Sequence, residues 1–89
     1  MKYALIGCGR VAPSHIKAAK ANGLEIVAVC DIIEEKAEKF RLDRDIPEAK
    51  VYADYKEMLR EEKVDFVSIA TISGTHGEIA LYCAENGIN

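Results

Sequence analysis

Short, mostly apolar runs alternate along this chain with segments in which apolar residues recur every three or four positions. Apolar runs bounded by glycine or polar residues are typical of strands buried on both faces, as in a parallel sheet. We therefore predict four buried strands, separated by segments that cross over between them. The four runs are Tyr3–Ile6, Leu24–Cys30, Val51–Tyr52 and Val64–Ala70.

The segments between and after these runs have helical periodicity. The spacing of Asp54 and Glu57 is that of a capping box, so it predicts where the third helix begins. The fourth predicted helix, Glu78–Glu85, is so largely apolar that we expect it to be well covered. The polar segments Arg41–Lys50 and Thr71–His76 are predicted to be loops. The apolar stripes of the first three helices are Ala12/Ile16/Ala19, Ile33/Ala37/Phe40 and Tyr55/Met58/Leu59.

The predicted order of elements is β-α-β-α-β-α-β-α, and Ile88 resembles the start of a fifth strand. Strict alternation favours a parallel sheet with right-handed crossovers and helices on both faces. The predicted fold class is therefore α/β, a three-layer doubly wound parallel sheet (Rossmann fold), truncated after the fourth β-α unit. Ligands of such sheets bind at the carboxyl ends of the strands, which here are followed by residues 7–12, 31–32 and 71–76.

Length and charge limit the function classes. The 89 residues are 49% apolar and 30% charged, which indicates a globular chain too short for a complete two-domain enzyme. Because 15 Asp and Glu residues outnumber 12 Lys and Arg residues, nucleic acids and anionic membranes are poor candidate partners. No apolar stretch approaches the roughly 20 residues that span a bilayer.

The three cysteines, Cys8, Cys30 and Cys83, are odd in number and match no zinc-binding spacing. The N-terminus runs directly from Met1 into the first predicted strand, without the pattern of a signal peptide. We therefore expect free, reduced thiols, no metal site and a cytoplasmic protein.

A glycine-rich turn follows the first predicted strand and opens the first helix. Its sequence from Gly7 to Ala12 is G-x-G-x-x-A, the dinucleotide-binding pattern in its required context. Gly7 allows a tight turn, Gly9 lets the backbone approach a pyrophosphate, and Ala12 lets the helix pack closely. Arg10 can donate to a phosphate or remain a solvated surface residue. An ordinary strand-to-helix turn is the alternative for the glycines.

Asp31 ends the second predicted strand, 22 residues after Gly9. A carboxylate at this place can accept both ribose hydroxyls of an adenosine and repels a 2′-phosphate, so it favours NAD over NADP. Ile32 follows and can cover one face of the adenine. The alternative for Asp31 is a helix cap.

The loop after the fourth strand contains Thr71, Ser73 and His76. In a doubly wound sheet it lies across the crevice from the glycine turn, where it can contact the nicotinamide end of a dinucleotide. His76 can bind there or belong to the cap of the next helix. A catalytic histidine needs a partner and a substrate geometry, which the sequence does not supply.

These features together resemble the N-terminal domain of the Gfo/Idh/MocA family (glucose–fructose oxidoreductase, inositol dehydrogenase and rhizopine-catabolism proteins). The resemblance extends over essentially all 89 residues. The segments that carry it are Ala4–Ala12, Glu25–Asp31, Val51–Leu59, Asp65–Thr71, and His76 with Glu78–Ala80.

The resemblance implies an NAD(P)-dependent oxidoreductase of sugars, inositols or sugar nucleotides. It implies that Gly7–Ala12, including Val11, holds the pyrophosphate and that Asp31 holds the ribose. It further implies that Thr71, Ser73 and His76 flank the nicotinamide. Ile72 stands where the family has a proline, and Ser73–His76 is similar to members that oxidise UDP-N-acetyl sugar acids.

The family continues into a Glu-Lys-Pro motif and a C-terminal substrate domain, which residues 1–89 do not include. We therefore expect a partial cofactor-binding domain without a catalytic residue of its own and inactive alone. One alternative is a non-catalytic dinucleotide sensor or regulatory module. Another is a domain that serves only association, because an open sheet edge invites pairing into a homo-oligomer.

Overall fold

Strands and helices alternate along the chain in the predicted order. The computed structural model describes residues 1–71 and 73–88, and of residues 73–76 it describes the backbone only. Within these residues it contains four strands and four helices. They are β1 (Lys2–Ile6), α1 (Ala12–Ala21), β2 (Glu25–Cys30), α2 (Glu34–Asp43), β3 (Lys50–Tyr52), α3 (Tyr55–Glu62), β4 (Phe66–Ile69) and α4 (Ser73–Glu85).

The four strands form one parallel sheet with the order β3-β2-β1-β4. From the inner strand β1, the chain moves outward through β2 and β3, then crosses over to place β4 on the other side of β1. In the register, Leu5 pairs with Val29 on one side and with Ser68 on the other. This reversal opens a crevice at the carboxyl ends of β1 and β4. The predicted doubly wound α/β fold is confirmed.

The sheet separates two hydrophobic cores. Because successive strand residues point to opposite faces, Leu5 and Val29 pack with α1 and α2, whereas Ile6 and Cys30 pack with α3 and α4. Leu5, Val29 and Met58 are the largest side chains that are fully buried. Burial of each contributes roughly 1.5–3 kcal/mol. The molecule therefore has the three layers that the sequence predicts.

Local hydrogen bonds set the ends of the helices. Asp54 caps α3, because its carboxylate accepts from the backbone N–H of Lys56 at 2.9 Å. At the end of α4, Gly87 has φ of +69° and the N–H of Ile88 donates to the carbonyl of Cys83 at 2.9 Å. This is a Schellman-type ending. The backbone of Ile88 therefore closes the helix, and the start of a fifth strand at this residue stays a prediction.

Three expectations need correction. Helix α2 continues to Asp43, inside the predicted loop, where Arg41 pairs with Glu38 one turn earlier. Helix α4 begins at Ser73, inside the other predicted loop. Its outer side is not well covered, since 62% of Leu81 is exposed. No helix among the described residues has the length and apolar character needed to cross a membrane.

Candidate functional site

A cleft of about 450 Å³ lies at the carboxyl ends of the strands, where the topology predicts a ligand. The glycine turn and the end of β2 form one side of it. The start of α3, the end of β4 and the second turn of α4 complete it. Of the residues predicted to bind a cofactor, the structure brings five together here: Gly7, Gly9, Asp31, Ile32 and Thr71.

Gly7 joins the glycine turn to the sheet. Its N–H donates to the carbonyl of Cys30 at 2.7 Å, and its φ is +96°. A Cβ on Gly7 would lie 2.7 Å from the carbonyl carbon of Ala70 and 2.8 Å from the nitrogen of Thr71. Both the backbone conformation and the close approach of β4 therefore require glycine.

Gly9 has a different environment. Among the described residues, a Cβ placed there would meet only the carbonyl oxygen of Ala70, at 4.0 Å, and Gly9 is half-buried beside the cleft. The protein itself therefore leaves space in front of this backbone. That space fits the predicted approach of a pyrophosphate.

Asp31 connects the end of β2 to the glycine turn. One carboxylate oxygen accepts from the N–H of Cys8 at 3.0 Å, and the other accepts from the N–H of Ile33 at 2.9 Å. Ile33 is the N-cap residue of α2, so Asp31 also supports the start of that helix. A carboxylate offers about four acceptor positions, so two remain for a ligand. The cap and ribose interpretations of Asp31 are therefore compatible.

The cysteines beside this carboxylate are buried and unreactive. Burial and the negative charge of Asp31 raise the pKa of the Cys8 thiol to about 12. Burial, Cys8 and Asp31 raise the pKa of Cys30 to about 12. Both thiols therefore stay protonated at neutral pH and supply no nucleophile. All three cysteines are free, as predicted.

An apolar rim borders the polar part of the cleft. Ile32 is 89% exposed, and the neighbouring Ile33 is 56% exposed. Both line the cleft at the end of β2. Exposed large aliphatic side chains at the mouth of a pocket can cover the face of a flat ring.

Thr71 contributes a hydroxyl on the β4 side of the cleft. Its Oγ1 is buried and has no hydrogen-bond partner among the described residues. A buried polar group of this kind indicates a missing partner. The predicted binding residues Ser73 and His76 lie, with respect to their side chains, outside the described residues.

Three predicted residues do not line the cleft. Arg10 and Val11 are exposed on the turn, and Ala12, the first residue of α1, is fully buried. The small side chain of Ala12 packs the helix on the sheet, as predicted. Val11 is the N-cap residue of α1, and no described side chain caps this helix end. The end is therefore open to an anion.

The cleft also includes residues that the sequence analysis did not predict to bind, among them Lys36, Tyr55 and Glu78. Lys36 lies in the first turn of α2, and Tyr55 is the first residue of α3. Glu78 lies in the second turn of α4. Their positions in the sequence could have indicated this, because each residue lies near the start of a helix that follows the carboxyl end of a strand.

The comparisons with known proteins agree with this geometry. The family model GFO_IDH_MocA, described as "Oxidoreductase family, NAD-binding Rossmann fold", matches residues 1–89. The chain is 32% identical over 83 residues to inositol 2-dehydrogenase of Salmonella paratyphi B, which covers 91% of this chain and 24% of that protein.

Two solved structures are also similar. The WlbA dehydrogenase from Bordetella pertussis, in complex with NADH and UDP-GlcNAcA, superposes with a TM-score of 0.88 at 28% identity. That match covers 100% of this chain and 27% of that one. Myo-inositol dehydrogenase from Lactobacillus casei, in complex with NAD(H) and myo-inositol, has a TM-score of 0.85 at 32% identity. That match covers 96% of this chain and 25% of the other.

This chain spans about a quarter of the length of the relatives it matches. Within that quarter, the glycine turn, the acidic end of β2 and the order of the strands all occur in the arrangement that binds dinucleotides. Because the family model matches from the first residue to the last, the chain belongs to the Gfo/Idh/MocA oxidoreductase family and represents its NAD-binding Rossmann domain.

Proposed function

We propose that this chain is the cofactor-binding part of an NAD-dependent oxidoreductase that acts on a hydroxyl group of a sugar, an inositol or a sugar nucleotide. The observation that carries the proposal is the space in front of Gly9, where a Cβ would have the carbonyl oxygen of Ala70, at 4.0 Å, as its nearest neighbour among the described residues. The inositol and UDP-GlcNAcA complexes of similar proteins support the substrate class.

The residues of the cleft fit a dinucleotide. Gly9 and the open N-terminus of α1 favour the pyrophosphate, because backbone N–H groups and the helix dipole attract anions. The free acceptor positions of Asp31 suit ribose hydroxyls. The hydroxyl of Thr71, which has no partner among the described residues, can accept or donate a hydrogen bond on the opposite side. When bound, the nicotinamide supplies hydride chemistry, and the protein holds and orients it.

The preference for NAD over NADP rests on Asp31. Its two backbone hydrogen bonds hold the carboxylate in place, so it cannot turn away from a 2′-phosphate. Lys36 lines the same cleft and partly offsets this repulsion. We propose a preference for NAD, because the carboxylate lies at the end of β2, where we expect the adenosine ribose to bind.

The rest of the reaction requires residues beyond this chain. No residue of the cleft is assigned a catalytic role, and we propose that the 89 residues bind cofactor without turning over substrate. The substrate contacts belong to the remainder of a longer oxidoreductase. Free, protonated thiols suit a reducing compartment, which supports a cytoplasmic location.

A fluorescence titration with NADH tests the proposal. The chain should bind NADH saturably, and Asp31→Asn should weaken NADH binding about tenfold, because it removes a charged acceptor. The same substitution should weaken NADPH binding less. Asp43→Asn, at the exposed end of α2 and outside the cleft, makes the same change of charge and should leave both affinities unchanged. Absence of saturable binding by a folded sample would contradict the proposed function.

A further inference from the structure

Tyr55 and Glu78 line the cleft, but the proposed function gives them no role. Tyr55 begins α3 and Glu78 lies in α4, the two helices that cover the same face of the sheet. The hydroxyl oxygen of Tyr55 is buried and has no hydrogen-bond partner among the described residues. Buried hydroxyls are almost always paired, so an unpaired one in a cleft indicates that a ligand provides the partner.

The ring of Tyr55 is held in place before any ligand arrives. It packs edge-to-face against Tyr82 with 5.5 Å between the ring centroids. The ammonium group of Lys56 lies 5.4 Å from the centre of the Tyr82 ring and 6.0 Å from that of Tyr55. These contacts fix the ring plane, and with it the direction of the hydroxyl.

The two groups have complementary hydrogen-bonding characters. Burial and the nearby charge of Glu78 raise the pKa of Tyr55, so its hydroxyl keeps its proton and can donate. The ionised carboxylate of Glu78 can only accept. A ligand that satisfies both must offer one acceptor and one donor close together. An aminopurine does so on the edge that carries a ring nitrogen and the exocyclic amine.

We propose that Tyr55 and Glu78 read the edge of the purine base of the dinucleotide. The Tyr55 hydroxyl donates to a ring nitrogen, and the Glu78 carboxylate accepts from the exocyclic amine. Ile32, 89% exposed at the end of β2, covers a face of the same base. This assignment rests on the proposed function, because it needs a dinucleotide whose ribose is held at Asp31. It makes Tyr55 and Glu78 residues that determine base specificity.

The test compares NADH with reduced nicotinamide hypoxanthine dinucleotide, in which a carbonyl replaces the exocyclic amine. Fluorescence titration of the 89-residue chain should show about tenfold tighter binding of NADH, because the carbonyl faces the Glu78 carboxylate. Glu78→Gln replaces an obligate acceptor by an amide that also donates. The ratio of the two dissociation constants should then fall below about threefold.

Tyr55→Phe tests the other half of the pair. It should weaken NADH binding about tenfold, since the ring remains and only the hydroxyl is lost. Tyr3→Phe removes another buried hydroxyl, one that lies outside the cleft, and should leave the affinity unchanged. Thermal unfolding of both variants establishes that they are folded.

The outcomes separate the two proposals. Equal binding of both dinucleotides by the unsubstituted chain, or an unchanged ratio in Glu78→Gln, would overturn the base assignment and leave the proposed function standing. Failure of the folded chain to bind either dinucleotide would overturn both. Because Glu78 is exposed, its substitution should not impair folding, and it decides the question even if Tyr55→Phe is unstable.

Discussion

Gly7 and Gly9 are two residues apart in one turn, yet their surroundings differ completely. At Gly7, backbone atoms of the β4 end lie within 2.8 Å of where a Cβ would stand, and φ is +96°. At Gly9, the same construction finds a single atom at 4.0 Å. The first glycine is explained by the fold alone. The second is not required by packing against the described residues, and our proposal explains it by a bound pyrophosphate.

This difference separates the glycine that the fold requires from the glycine that is available for binding. A residue that the protein's own packing requires reveals nothing about a ligand, however well it matches a motif. A small residue next to unfilled space in a cleft, beside a helix end without a described side-chain cap, leaves room for one. Substitutions at each glycine in turn test whether Gly7 serves the fold and Gly9 the proposed binding site.

The largest effect is expected for Gly7→Ala. A Cβ there combines an unfavourable left-handed conformation with overlap against backbone that cannot move, which should lower the free energy of unfolding by about 3 kcal/mol. Urea denaturation measures this. Gly23→Ala is the matched control, since Gly23 has φ of +70° but no neighbour within 4 Å, and it should cost only about 1 kcal/mol. Equal losses would show that the close approach of β4 has no energetic weight.

Gly9→Ala should have little effect on stability but a large effect on NADH affinity. Its Cβ meets no close neighbour, so the free energy of unfolding should change by less than about 1 kcal/mol. NADH affinity should nevertheless fall at least about tenfold, because the methyl group occupies the space proposed for the pyrophosphate. Parallel denaturation and fluorescence titrations measure the two quantities. A variant with intact affinity would remove the main support for the binding site.

A smaller effect concerns Cys8, which lies between the two glycines. Its pKa is raised to about 12, whereas a cysteine in the unfolded chain ionises near 9. The stability linked to the protonated thiol is fully present below pH 9 and is lost as the pH rises towards 12. At pH 10 the loss should be on the order of 1 kcal/mol. Unfolding curves at pH 8 and pH 10, compared with those of Cys8→Ala, measure the part of the loss that is due to the Cys8 thiol. An equal decline in the variant would show that the thiol does not cause it.

Much of this architecture is predictable from sequence. The apolar runs, the stripe of α1 and the cap at Asp54 depend on interactions between near neighbours, and all lie where expected. Some errors are local, since α2 continues into a predicted loop where an ion pair one turn apart supports it. Others concern α4. Helix α4 begins at Ser73 although its first residues are typical of a loop, and Leu81 is exposed although its helix is largely apolar.

The candidate site divides in the same way. Gly7, Gly9 and Asp31 belong to one local pattern, so their places at the cleft could be anticipated. Tyr55 and Glu78 could not, because they come from α3 and α4 and meet only when both helices fold against the same face of the sheet. The hydrogen bond from the Cys8 N–H to the Asp31 carboxylate could not be predicted either, because the two residues are 23 positions apart in the sequence.

The two hydrogen bonds that Asp31 accepts from the backbone limit how this domain could change its cofactor. A switch towards NADP begins most simply by removing the carboxylate at position 31. Here the same carboxylate holds the glycine turn and the first turn of α2, so its removal leaves two backbone donors without their acceptor. A variant that binds NADP, whether evolved or engineered, therefore needs a residue at position 31 that accepts from both N–H groups and does not repel the 2′-phosphate. Under the proposed preference for NAD, cofactor choice and the local backbone structure would therefore depend on the same carboxylate.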